Sequence, residues 1–216
     1  MPLISADIAQ KKTYDICIEG AGAAGLAVGF STASKGLRVL VVDRGELDPS
    51  PVADQDDEHL FGTDTPHDPR EKTNCDAVGG TLHRWGGRCV PFDPQDFGDR
   101  SATNEPGWPI PYEDYAPWIS PAAEFLQSGD TFSSAPPLAW RVAKGLTADR
   151  VEHLNQPGHV KLLQKQAQER SDGPDIVTRT VAQMVSFDGG VGRLTLRTDG
   201  EVWTPAASQI VLASGG

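Results

Sequence analysis

"DICIEGAGAAGLAVGFSTASKGLRVLVVDRG", residues 15–45, decides the fold. Tyr14 to Glu19 predicts a short strand with Ile16 and Ile18 on one face. Ala23 to Lys35 predicts a helix that stops near Gly36, and Leu37 to Val42 a second, buried strand. A strand, a turn, a helix and a strand at this spacing make the unit that a parallel sheet needs. Gly20, Gly22 and Gly25 form GxGxxG in the turn. The first glycine permits the tight bend, the second lets a diphosphate reach the backbone, and the third lets helix and strand pack closely. The phosphates then meet the positive end of the helix. Asp43 closes the second strand, where a carboxylate about 20 residues on accepts hydrogen bonds from ribose hydroxyls. One residue breaks the pattern: Glu19, a carboxylate directly before the first glycine.

Nicotinamide and flavin dinucleotides both use such a unit, so the rest of the chain must choose. A nicotinamide domain would continue with another helix and parallel strand. Residues 46–72 instead hold nine acidic residues against two basic ones, with prolines at 49, 51, 66 and 69, and read as a solvated excursion. A second glycine block follows, "VGGTLHRWGGRCVPFDPQDF", residues 78–97. Gly79, Gly80, Gly86 and Gly87 would let backbone lie against a flat ring system with amide donors near its heteroatoms; the rival reading is two tight turns. Nine of the 17 prolines fall between Pro91 and Pro137, so the helix expected over Tyr112 to Gln127 should break near Pro117 and Pro121. A helix over Val160 to Arg170 precedes strand-like runs at Ile176 to Val181, Ala182 to Phe187, Arg193 to Thr198 and Gln209 to Ala213.

On these motifs the chain resembles the glucose-methanol-choline family of FAD-dependent oxidoreductases. The resemblance rests on the N-terminal fingerprint, the "GGTLHRWGGRCVPFDPQDF" block, the later "GWPIPYEDYAPW" segment and the "IVLASGG" strand, and it covers nearly the whole chain. It implies an α/β fold: a Rossmann-like FAD-binding domain with a parallel sheet plus an antiparallel β-meander. Residues 1–45 would be the dinucleotide-binding unit, 46–137 the acidic and proline-rich excursion with the flavin-contacting block, and 138–216 the helix, meander and return strand. It also implies that Gly20, Gly22, Ala23, Ala24 and Gly25 hold the diphosphate, that Asp43 takes the ribose with Arg44 beside it, and that Gly79, Gly80, Thr81, Trp85 and Gly86 lie along the flavin. Val181 would contact adenine through its backbone. The chemistry implied is oxidation of an alcohol or sugar hydroxyl by hydride transfer to FAD.

Three departures qualify the match. Glu19 stands where the family is usually apolar; it is expected to be satisfied by backbone amides or by an arginine such as Arg44 or Arg88, with tuning of nucleotide affinity as the sharper alternative. Some sugar-oxidising relatives tether FAD through a histidine just before the block's tryptophan, whereas here that place is Arg84, so non-covalent FAD is expected. The family's substrate-facing histidine lies in a C-terminal part that this chain is expected to lack, to be completed by a further chain or subunit. His59, His67, His83, His153 and His159 are scattered without ligand spacing, and His83 is expected to make a structural hydrogen bond.

Composition excludes other classes. The chain has 216 residues and 38% hydrophobic content, enough for a core, and a formal net charge of -11, which repels nucleic acid and anionic membrane surfaces. No apolar run is long enough to span a bilayer and nothing reads as a signal peptide. Cys17, Cys75 and Cys89 form no CxxC pair, which fits a reduced, cytoplasmic setting and no metal.

Overall fold

The structure, a computed structural model, describes residues 3–49, 75–99, 107–128, 153–154, 159–188 and 191–215. Most of the acidic excursion, with His59 and His67, lies outside them. The chain forms two compact units, Met1–Trp85 with Val160–Gly216, and Gly86–His159.

The first unit is built on a four-stranded parallel sheet. Its strands are β1 (Thr13–Glu19), β2 (Val39–Val42), β5 (Asp175–Val177) and β9 (Ala206–Leu212), in the order β5-β2-β1-β9. All four residues of β2, VLVV, are buried, as expected of a strand covered on both faces. Helix α2 (Ala23–Ala33) covers one face; α1 (Ala6–Ala9) is a single turn before β1. At Gly29 of α2 a β-carbon would lie 3.2 Å from Val41 Cγ2 and 3.7 Å from Ile18 Cδ1, so this glycine sets how closely the helix sits on the strands. On the other face Cys17, Leu40, Val42 and Val177 pack with Leu194, Leu196 and Trp203 of a three-stranded antiparallel sheet. That sheet has the order β6-β7-β8, from β6 (Thr180–Asp188), β7 (Val191–Thr198) and β8 (Glu201–Trp203). Each fully buried Leu, Ile or Val contributes roughly 1.5–3 kcal/mol, so this two-sided burial is the main reason the unit holds. The architecture is the expected α/β one, a Rossmann-like parallel sheet plus an antiparallel meander.

Boundaries differ from the sequence expectation in places. The strand expected over Ile176 to Val181 stops at Val177, because Arg179 is left-handed, with φ of 54°. The Arg179 and Thr180 amides there donate to the carbonyls of Gly45 and Asp43 at 2.9 and 2.8 Å, and a new strand begins at Thr180. The β8 strand had no alternation long enough to announce it. Helix α2 ends at Ala33, two residues early, and the return strand begins at Ala206 rather than Gln209.

In the second unit β3 (Arg88–Cys89) pairs antiparallel with β4 (His153–Leu154). The helix expected over Tyr112 to Gln127 divides into α3 (Tyr112–Tyr115), a 3₁₀ turn at Ala116–Trp118 and α4 (Ile119–Leu126). The break falls at Pro117 as expected. Pro121 causes none, because it stands in the first turn of α4, where its missing N–H has no partner to lose. Phe92, Phe97, Trp108, Tyr112 and Tyr115 form an aromatic cluster with ring centroids 5.1 to 6.3 Å apart. Trp118 is largely exposed. Helix α5 (His159–Glu169) follows in the chain. No helix among the described residues is long and apolar enough to cross a membrane.

Candidate functional site

The three fingerprint glycines take three different stereochemical parts. Gly20 leaves β1 with φ of 100°, and a β-carbon there would lie 2.3 Å from the Ala213 carbonyl oxygen; only glycine satisfies both conditions. Gly22 is the N-cap of α2, in extended conformation, with no side chain capping the helix. The first intrahelical bond runs from the Leu26 amide to the Gly22 carbonyl at 2.9 Å. The amides of Ala23, Ala24 and Gly25 therefore have no partner inside the helix and stand at its positive end. A β-carbon on Gly22 would meet nothing within 4 Å, so the space before these donors is open. On Gly25 it would lie 1.9 Å from the Gly20 carbonyl oxygen, which makes this glycine the point where helix and turn touch.

The second glycine segment lies against the first. The Gly79 amide donates to the Ala21 carbonyl at 2.8 Å, Gly79 and Gly22 form an isolated parallel bridge, and a β-carbon on Gly80 would lie 3.1 Å from Gly22 Cα. Both Gly79 and Gly80 have positive φ, 105° and 56°. A partly buried polar network supports this turn. His83 Nε2 donates to the Val78 carbonyl at 3.0 Å, and the Gln164 side-chain amide donates to the carbonyls of Val78, at 3.1 Å, and Leu47.

Asp43 follows β2 and is 8% exposed. Its two carboxylate oxygens accept the amides of Ala21, at 2.6 Å, and Gly45, at 2.8 Å. Burial pushes its pKa up to about 6 against the pull of those two bonds, with the charges of Asp76 and Glu19 adding to the rise. Arg44 pairs with Asp76 at 2.8 Å. Glu19 accepts the hydroxyl of Ser214, while the Glu19 carbonyl accepts the Ala213 amide at 2.7 Å. The arginine candidate Arg44 is thus engaged by Asp76, and a serine after β9 answers the Glu19 carboxylate.

Many of these groups line one cleft of about 360 Å³ at the C-terminal ends of β1, β2 and β9. This is where the strand order reverses about β1, the position at which open α/β sheets hold their ligands.

Two solved oxidases share this fold. They are a fungal aryl-alcohol oxidase, with a TM-score of 0.53 and 14% identity over 95% of this chain and 46% of that one, and the pyridoxine 4-oxidase of Mesorbium loti, with 0.51 and 20% over 94% and 50%. The chain spans about half the length of these proteins. No family model and no curated protein matches it by sequence.

Of the residues singled out in the sequence, Gly20, Gly22, Ala23, Ala24, Asp43, Arg44, Gly80 and Thr81 line the cleft together. Gly25 and Gly79 shape it without lining it; Gly79 backs onto Val160, whose Cγ1 would be 2.8 Å from a β-carbon. Trp85 closes the glycine turn through its amide, 3.1 Å from the Thr81 carbonyl, and Gly86 belongs to the second unit. Val181 lies on β6 opposite Arg197 and does not line the cleft. Sequence reasoning missed Cys75, Asp76, Ala213, Ser214 and Gly215 as lining residues. The run of small residues after the return strand was the available signal, since close backbone approach requires them. Burial pushes the Cys75 thiol pKa upward, against the opposing charge of Arg84.

A larger concavity, about 710 Å³, opens at the opposite end of the sheet among Lys11, Lys12, Tyr14, Arg38 and Asp175. Several of its polar groups are already engaged: Asp175 accepts Lys12 at 2.7 Å and Tyr14 at 3.1 Å, and Arg38 pairs with neighbouring Asp15 at 2.9 Å. The smaller cleft, with open helix donors, is the better candidate.

Proposed function

We propose that this chain is the FAD-binding part of an oxidoreductase of the glucose-methanol-choline type, which oxidises an alcohol or sugar hydroxyl. The observation that carries the reading is the uncapped α2 N-terminus facing open space, with the Gly79–Gly80 turn laid across Gly22. A diphosphate fits this cradle: the amides of Ala23 and Ala24 are donors without intrahelical partners, and glycine keeps the approach clear. Asp43 spends one lone pair of each oxygen on a backbone amide and retains others for ribose hydroxyls. Gly80 and Thr81 supply the wall toward the flavin. FAD, when bound, supplies the hydride acceptor. No covalent tether is expected, because Arg84 occupies the tethering position and His83 is bonded to Val78.

Incubation with FAD followed by gel filtration, an absorbance scan and competition with NAD tests the reading. Flavin should co-elute, resist NAD and pass into the supernatant on acid precipitation. Tight NAD binding without flavin uptake would refute it, and flavin left in the pellet would refute the non-covalent part.

A second reading is a flavin-binding module whose catalytic base sits on further polypeptide. It is favoured by two observations: the two oxidases are about twice as long, and no histidine lines the cleft among the described residues. A positioned base contributes about 10²–10⁴-fold to such a reaction. The FAD-loaded chain alone should therefore give little turnover with sugars, simple alcohols and an artificial acceptor; substantial turnover would exclude this reading.

A further inference from the structure

Glu19 is the one sequence departure that the cofactor cradle does not absorb, and it faces the same cleft as the α2 amides. We propose that Glu19 sets the affinity of the cleft for diphosphate-bearing dinucleotides by charge repulsion, holding it about tenfold weaker than the backbone cradle alone would allow. This rests on the dinucleotide reading above.

The charged and polar side chains facing the cleft come from five segments, one of them the second glycine turn with the uncharged Thr81. The end of β1 contributes Glu19; the exit of β2 contributes Asp43 and Arg44; the segment before the second glycine turn contributes Cys75 and Asp76; the chain after β9 contributes the Ser214 hydroxyl. Arg44 and Asp76 pair with each other. The bonds made by the other two carboxylates are to uncharged donors: Ser214 for Glu19, and the Ala21 and Gly45 amides for Asp43. A diphosphate entering between Glu19 and the helix end thus meets attraction from the amides and repulsion from a carboxylate one residue before Gly20. Asp43 is buried behind two amide bonds, whereas Glu19 is more accessible, so Glu19 is the carboxylate whose removal should alter the field with the least change in structure. One unit charge a few ångströms away in a partly solvated cleft changes affinity by about tenfold, and the effect shrinks as salt screens it.

The test uses the 216-residue chain and FAD, titrated by quenching of flavin fluorescence at low and high NaCl. Glu19→Gln keeps an acceptor for Ser214 and removes the charge; it should bind FAD about tenfold tighter at low salt, with the advantage falling below about threefold at high salt. Glu19→Leu removes the same charge and should also tighten binding, which keeps the test valid if one variant folds poorly. Ser214→Ala leaves the carboxylate in place and should not tighten binding. Equal or weaker binding by folded Glu19→Gln and Glu19→Leu, a gain that salt does not reduce, or a gain reproduced by Ser214→Ala would overturn the proposal. If neither wild type nor the variants take up FAD while circular dichroism shows them folded, the dinucleotide reading falls, and this inference with it.

Discussion

Gly22 and Gly25 stand three residues apart in one motif, yet alanine at the two positions should have opposite consequences. At Gly25 the new β-carbon would start 1.9 Å from the Gly20 carbonyl oxygen and 3.0 Å from its carbon, both backbone atoms that cannot swing away. Helix and turn must separate by about 1.1 Å to reach even 3.0 Å, a shift that a close-packed junction resists at a cost of about 3 kcal/mol or more. For a chain of this size that is about 6–12 °C in Tm. At Gly22, φ is -74° and ψ -173°, a conformation any residue adopts, and the β-carbon would meet nothing within 4 Å. The entropic gain of about 0.4–1 kcal/mol from alanine offsets its poorer N-capping, so stability should stay within about 1 kcal/mol of wild type. The same methyl group, however, stands where a diphosphate must approach the helix amides, and FAD affinity should fall at least about tenfold. Urea denaturation and FAD titration of both variants measure the two effects separately. Gly22→Ala as unstable as Gly25→Ala, or a folded Gly22→Ala that binds FAD like wild type, would refute the assignment of parts.

Two further outcomes follow from the polar groups around the cleft. Asp43 has a pKa raised from 3.8 to about 6 by burial, so between these values the folded state holds a proton that the unfolded state has lost. Its contribution is fully present below the unfolded value and is lost as pH rises through about 6, to the extent of about 2–3 kcal/mol. Asp43→Asn should flatten the decline in unfolding free energy between pH 4 and pH 7 seen by urea denaturation, and an unchanged slope would exclude Asp43 as its source. Gln164→Leu removes the side-chain donor to the half-buried Leu47 carbonyl and leaves the Val78 carbonyl with His83 alone, and should destabilise the chain by about 1–2 kcal/mol, with weaker FAD binding because the Gly79–Gly80 turn loses support; a variant as stable as wild type would show the network to be dispensable.

The local sequence by itself determined the unit from Tyr14 to Asp43. Its periodicity changes from strand to helix to strand, glycines fall at the bend, and each choice depends on neighbours a few residues away. The unbroken apolar run of β2 likewise announced a strand covered on both faces. The break at Pro117 was legible for the same reason, because proline acts on its own turn. What the local pattern could not decide was which distant backbones meet. That Ala213 presses on Gly20, that Gly79 crosses Gly22, and that Gln164 reaches back to Leu47 are contacts between segments up to about 190 residues apart. They arise only when the sheet order places β1 between β2 and β9. The strand boundary at Val177 was set in the same way, because the Arg179 and Thr180 amides bond to carbonyls beside β2 rather than extending their own strand. Glu19 shows the division within one residue. Its place before the first glycine was plain in the sequence, but its partner, Ser214, comes from the far end of the chain, because side-chain hydrogen bonds follow proximity in space rather than in sequence.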